Sequence, residues 1–333
     1  MDIIGTINPW GCDNFNELIN KIINKGVRYF RVNLKTYYKK EHFEYLTKII
    51  YEMMSIEKDI LFIFDIGYPK DTSRTIINND KGYIEIKEND IYISNNSPNY
   101  SDNTIFIDPE IYLEINDVIY YGDGQYYLTI IDEYGDGIWK ARVSNTNIKI
   151  WGNTALHFKN ESRYTPYNID LILNFLNSLN SKIKYKVALS FVESKKDVDS
   201  FINLSGIRNI ICKIESQAGV DNIEEIIPAA DSIMLGRGDL LFNSKVECFL
   251  HNEVQVIKKC KENRKAIIVS TGILSSMEQN MLPTRAELID FILLKELGVD
   301  IINLSGHIIK SRNIDWVMEL INNTGRIYGR NSS

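Results

Sequence analysis

The residues able to do chemistry stand at the ends of short β-branched runs: Thr6, Arg31 and Asn33, Asp65, Ser190, Lys213 and Glu215, Arg237 and Asp239, Thr271, and Ser305. Taken singly, each charge is explained by a structural ion pair. Brought to one mouth, these cations and carboxylates describe a site that holds a divalent metal ion and an anionic substrate. The histidines and cysteines offer no rival chemistry. His42, His157, His251 and His307 are scattered without HExxH or HxH spacing, and Cys12, Cys212, Cys248 and Cys260 lack any CxxC pair, so neither a zinc frame nor a disulfide scaffold is expected.

The runs that carry these residues read as strands near 2–7, 27–34, 59–66, 184–190, 208–214, 231–235, 265–270 and 299–305. Helical patterns follow nearly all of them, as at Phe15 to Ile23, Phe43 to Met54, Ile169 to Leu179 and Glu287 to Leu297. Eight βα units predict an α/β chain folded as a (β/α)8 TIM barrel, in which reacting groups gather at the C-terminal ends of the strands. From about Asp71 to Arg163 the text turns rich in Tyr, Asn, Asp and Gly, with alternating segments such as YIEIKENDIYIS. Asn89-Asp90, Gly122-Asp123-Gly124 and Gly135-Asp136-Gly137 read as hairpin turns of a small antiparallel domain. The expected division is therefore a barrel from 1–70 and 164–333 with a β-rich lid domain, 71–163, inserted after strand 3.

Over 333 residues, Lys and Arg number 38 against 44 Asp and Glu, for a net charge of −6. With no basic field for a phosphate backbone, a nucleic-acid partner is not expected. No apolar run is long enough for a membrane span, and MDIIGTINPW lacks the features of a secretory signal, so the expectation is a cytoplasmic protein without a membrane partner. Two local patterns carry little. GRGDLL (236–241) half-matches a dinucleotide fingerprint but puts Leu241 at its third glycine, and IDEYGDG (131–137) reads better as a hairpin turn than as a calcium loop.

The stretch KIESQAGVDNIEEIIPAADSIMLGRGDL (213–240) resembles the segment of the pyruvate kinase family that contains its catalytic lysine and magnesium carboxylates. KAIIVSTGILSSMEQNMLPTRAELIDFILLKELGVDIINLSG (265–306), with PTRAE at 283–287, is similar to the family's next two βα units, and GTINP (5–9) and RVNL (31–34) add weaker similarity. The resemblance implies a pyruvate-kinase-like phosphotransferase moving a phosphoryl group between phosphoenolpyruvate and a nucleotide, ADP or a variant acceptor. It implies Mg²⁺, or Mn²⁺, on Glu215 and Asp239, and Lys213 and Arg31 as fixed cations on the phosphoryl group. It further implies the backbone N–H groups of Gly238 and Asp239, with Arg31 and Ser190, as substrate-binding groups, and Thr271 as an aid to protonating the enolate carbon. The family's C-terminal regulatory domain is not expected, and association into a homo-oligomer is possible.

Several positions depart from the family. Its monovalent-cation pocket becomes Asn33, Lys35, Asp65 and Ile66, and DIGYPK (65–70) puts Lys70 where most relatives carry glutamate. A tethered ammonium, on Lys70 or Lys35, can stand in for a bound K⁺, so K⁺ is not expected to be required. The nucleotide side is more altered, with Thr6, Asn33, Arg74, Asp123 and Lys149 as its candidates. Two other readings stay open: a metal-dependent, enolate-forming aldolase or lyase of the wider phosphoenolpyruvate and pyruvate superfamily, and a non-catalytic relative that binds a metabolite.

Overall fold

Side chains on a strand alternate between two faces, so the apolar residues of the barrel strands divide by parity into two cores. The computed structural model describes residues 1–9, 14–37, 39–70, 75, 83–87, 89–95, 104–107, 111–121, 126–151, 155–158 and 169–328. Eight parallel strands close into a barrel: β1 (Asp2–Ile7), β2 (Tyr29–Asn33), β3 (Leu61–Pro69), β4 (Lys184–Ser190), β5 (Ile210–Ile214), β6 (Ser232–Gly236), β7 (Ile267–Ser270) and β8 (Ile301–Leu304). Each strand pairs with the next in sequence, and β8 returns to β1 with Asp2 opposite Ile301. This is the (β/α)8 architecture that the sequence predicts.

One parity, Ile4, Ile63, Ala188, Ile211, Met234 and Ile268, forms a small cluster of its own with Tyr29, Leu61 and Ile301, and this fills the barrel interior. The other parity includes Phe30, Phe62, Phe64, Val187, Leu189, Ile233, Leu235 and Ile302, and it packs outward against the helices. The helices meet it with apolar stripes. Phe15–Asn24 buries Phe15, Ile19, Ile22 and Ile23, and Lys40–Ile56 buries Phe43, Leu46, Ile49, Ile50 and Met53, the spacing of one helical face. Arg285–Glu296 begins at a capping box, in which Thr284 Oγ1 accepts from the Glu287 N–H at 3.2 Å and Glu287 Oε2 accepts from the Thr284 N–H at 3.0 Å.

The chain divides into two compact units, Met1–Pro69 with Pro166–Ser333, and Lys70–Thr165. The second has its own core, built around Trp139, Ile93, Ile105, Ile119, Leu128 and Ile130. Its six-stranded sheet runs in the order His157–Phe158, Val118–Tyr121, Tyr126–Gly135, Ile138–Val143, Asp90–Ser94 and Thr104–Phe106. Gly135, Asp136 and Gly137 all have positive φ and close the hairpin between Tyr126–Gly135 and Ile138–Val143. Gly122-Asp123-Gly124 lies outside the described residues, although the strands on either side pair antiparallel, with Tyr121 opposite Tyr126.

Two expectations for this unit are corrected. Asn89-Asp90 does not close a hairpin, because Tyr83–Ile86 pairs with Ile148–Trp151 while Asp90–Ser94 pairs with Ile138–Val143. The Asn89 carbonyl already accepts from the Val143 N–H at 2.8 Å, so the chain passes from one sheet to the other there. Nor is the sheet wholly antiparallel, since Asp90–Ser94 runs parallel to Thr104–Phe106. Among the described residues no helix is long and apolar enough to cross a membrane.

Candidate active site

Two residues beyond the interior apolar cluster, the same inward parity turns polar. Ile4 is followed by Thr6, Tyr29 by Arg31, Ile63 by Asp65, Ala188 by Ser190, Ile211 by Lys213, Ile268 by Ser270 and Ile301 by Asn303. Strand geometry therefore lifts these side chains together to the C-terminal mouth.

Their contacts form one buried ionic network. The Lys213 ammonium lies 2.9 Å from Glu215 Oε1, 3.2 Å from Asp65 Oδ2, and donates to Asp65 Oδ1 at 3.3 Å and Ser190 Oγ at 3.2 Å. Arg31 grips the same aspartate, Nε at 2.8 Å and Nη2 at 2.6 Å from Oδ2. Its Nη1 donates to Thr6 Oγ1 at 3.3 Å, and Thr6 Oγ1 donates onward to Asn303 Oδ1 at 3.0 Å. Asp65, Ser190, Lys213 and Glu215 are all buried.

The electrostatics follow from that burial. Loss of solvent acts to raise the Asp65 carboxyl, but Lys213, Arg31 and Lys35 outweigh it and hold the group far below the usual carboxylate range. For Lys213, burial acts downward and is overcome by Asp65 and Glu215, so the ammonium is firmly charged. Glu215 is driven up by its burial and by the neighbouring charge of Asp239, against the pull of Lys213.

Strained and side-chain-free positions shape the rest of the mouth. Phe191, just after β4, has φ +48° and donates its N–H to Glu215 Oε2 at 3.0 Å. Gly236 is bare because the Glu215 carboxylate occupies its side-chain space: a Cβ there would lie 2.5 Å from Oε1. Gly238 is nearly as confined, since a Cβ would lie 3.0 Å from Thr271 Cγ2. Thr271 itself has φ +71°, an outlier for a β-branched residue.

Arg31, Asp65, Ser190, Lys213, Glu215 and Thr6 thus meet directly. Gly238 meets Thr271, and Asp239 and Lys35 act on the network through their charges. Asn33 Oδ1 accepts from the Lys35 N–H at 3.2 Å and caps the turn Leu34–Thr36. Ser305 caps Gly306–Lys310, accepting from the Ile308 N–H at 3.2 Å. Lys70 and Lys149 belong to the Lys70–Thr165 unit, where the Lys149 ammonium lies 4.3 Å from the centre of the Tyr83 ring; Arg74 and Asp123 fall outside the described residues. Sequence reasoning missed Asn303, which shares the parity of Ile301, and it missed the partners of Arg237, Glu253 and Asp290, which no local spacing announces.

A closed parallel barrel that gathers cations and carboxylates at its C-terminal mouth has the architecture of the (β/α)8 barrels, whose sites lie at that end. The family model described as pyruvate kinase, barrel domain, matches residues 1–312, and the chain belongs to the pyruvate kinase family. Pyruvate kinase of Thermotoga maritima is 28% identical over 298 residues, 86% of this chain and 62% of the relative. That of Debaryomyces hansenii is 26% identical over 345 residues, 98% of this chain and 66% of the relative. That of Pyrobaculum aerophilum is 28% identical over 222 residues, 63% of this chain and 48% of the relative. The chain thus spans about half to two thirds of the length of these relatives.

Proposed function

We propose that the barrel mouth moves a phosphoryl group between phosphoenolpyruvate and a nucleoside diphosphate. The observation that carries this reading is the buried Lys213 ammonium, joined to the half-buried Arg31 in a single network that also holds Asp65 and Glu215. Phosphoryl transfer needs little covalent help and chiefly needs fixed positive charge around the moving group. Burying Lys213 with two carboxylates costs stability, which fits a cluster kept for such a task.

In the step itself the bond between phosphorus and the enol oxygen breaks, and one forms between phosphorus and a terminal oxygen of the nucleoside diphosphate. Lys213 and Arg31 steady the charge on the phosphoryl oxygens. The backbone N–H groups of Gly238 and Asp239 lie in the first turn of the helix Arg237–Phe242 and would receive the carboxylate of the substrate. The enolate left behind takes a proton at its terminal carbon, delivered by the Thr271 hydroxyl through water, and becomes pyruvate.

The donor set suits a divalent cation. Glu215 and Asp239 supply hard carboxylate oxygens, and the charge of Asp239 is felt at Glu215. Glu215 and Asp239 would hold Mg²⁺ or Mn²⁺, whose charge would neutralise substrate oxygens. No K⁺ is required in this reading, because a tethered ammonium replaces it. Lys35 is favoured over Lys70 by its pull on both Asp65 and Glu215.

The test is a ³¹P NMR time course of phosphoenolpyruvate and Mg²⁺ with a panel of nucleoside diphosphates. The enol-phosphate resonance should decay as a nucleoside triphosphate γ resonance grows. An unchanged spectrum across the panel, or release of inorganic phosphate alone, would overturn the reading.

A further inference from the structure

A second buried cation stands beside the network without belonging to it. The Arg237 side chain is only 8% exposed, and its donors go to three separate elements. Nε and Nη2 both donate to the Thr271 carbonyl, at 3.0 and 2.7 Å. Nη1 donates to Asp290 Oδ1 at 2.7 Å and Oδ2 at 3.0 Å on the helix Arg285–Glu296, and to Glu253 Oε1 at 3.4 Å on the helix Phe249–Glu262. A guanidinium fork with two carboxylates behind it and one carbonyl in front acts as a clamp.

What it clamps is strained. Thr271 is β-branched at φ +71°, and Gly272 follows at φ +74° with its side-chain space 3.4 Å from Arg237 Nη2. Residues held in this region persist where their surroundings over-determine them, and they gather at functional sites. The clamped conformation sets the exposed Thr271 against Gly238, the residue before Asp239.

We propose that Arg237 is a positioning residue that fixes the Thr271 hydroxyl for protonation of the enolate carbon. The proposal rests on the phosphotransfer reading above. The carbon gains a proton, the Thr271 hydroxyl recovers one from water, and Arg237 touches neither substrate nor the moving proton. Without the clamp Thr271 relaxes toward an ordinary negative φ, and proton delivery slows more than phosphoryl transfer does.

The test compares wild type, Arg237→Gln, Arg237→Lys, Thr271→Val and the Arg237→Gln/Thr271→Val double variant. Two rates are read: exchange of pyruvate methyl protons in D₂O with Mg²⁺ and nucleoside triphosphate, and phosphoryl transfer by ³¹P NMR. Arg237→Gln should lower methyl exchange about tenfold or more, a fraction of what general acid catalysis supplies, and should lower transfer less. Arg237→Lys should not rescue, since a lysine keeps the charge but loses the fork. In the Thr271→Val background Arg237→Gln should add nothing further. Equal losses in both backgrounds, equal losses in both rates, or rescue by lysine would overturn the proposal. If Arg237→Gln does not fold, Asp290→Asn loosens the clamp from behind and must give a smaller loss that again vanishes with Thr271→Val. A wild-type chain showing neither transfer nor exchange would instead defeat the phosphotransfer reading itself.

Discussion

The two ends of the barrel both carry ion pairs, and they treat them oppositely. At the N-terminal end Lys184 meets Asp59 at 3.0 Å with side chains 61% and 79% exposed, Lys261 meets Asp300 at 2.8 Å, and Lys186 pairs with Asp231. Those charges stay in contact with water, so they are inexpensive to form and contribute little. At the C-terminal end Asp65, Lys213 and Glu215 have almost no water left. Charges buried in that way are costly, and apolar residues of similar volume often serve stability as well or better. The fold thus confines its water-shielded strand-end charges to one end of the barrel, the end where sites of (β/α)8 barrels lie.

The contrast can be broken most forcefully at the mouth. Lys213→Ala should lower phosphoryl transfer by about 10³ or more, read by ³¹P NMR against wild type. Asp65→Ala, which strips both Arg31 and Lys213 of their shared partner, should destabilise the fold by about 3–5 kcal/mol in urea denaturation. The acid limb sharpens the same point. Asp65 is held below its unfolded value, so its contribution is complete above the unfolded value of about 4 and is lost as pH falls through the folded one. Asp65→Asn should therefore flatten the urea midpoint against pH below about pH 4.

A smaller effect tests the tethered ammonium. Wild-type turnover should be indifferent to exchanging Na⁺ for K⁺, while Lys35→Ser should slow it and make it respond to K⁺ by about tenfold, one charge interaction's worth. The smallest effect belongs to the other end of the barrel. Asp59→Ala should shift stability by less than about 1 kcal/mol and leave turnover unchanged, as expected for an exposed pair.

Much of this contrast is legible in the sequence, because period-two strands alternating with amphipathic helices leave one economical arrangement, and the polar residues ending those strands must meet at one mouth. Lys213, Glu215, Asp65, Arg31 and Ser190 are found in that way. Asn303 required a finer count from Ile301, since the end of β8 draws the eye to Ser305, which caps a helix. The Arg237 clamp is invisible for a different reason. Its partners lie 16 and 53 residues away among 44 acidic side chains, and nothing local selects Glu253 or Asp290. Left-handed backbone at Phe191 and Thr271 runs against the preferences of both residue types, so tertiary contacts alone impose it. Asn89-Asp90 signalled a break in a strand but not which strand would receive the next one.

If the buried charges of the mouth serve phosphoryl transfer rather than stability, the fold should tolerate their removal and the reaction should not. Replacing Lys213→Met and Glu215→Gln in one chain removes the ammonium and one carboxylate charge while leaving an acceptor for the Phe191 N–H. Melting temperature and phosphoryl transfer should be measured on the same sample. The double variant should melt close to or above wild type and transfer at least about 10³ more slowly. Transfer within about tenfold of wild type in that chain would contradict that role.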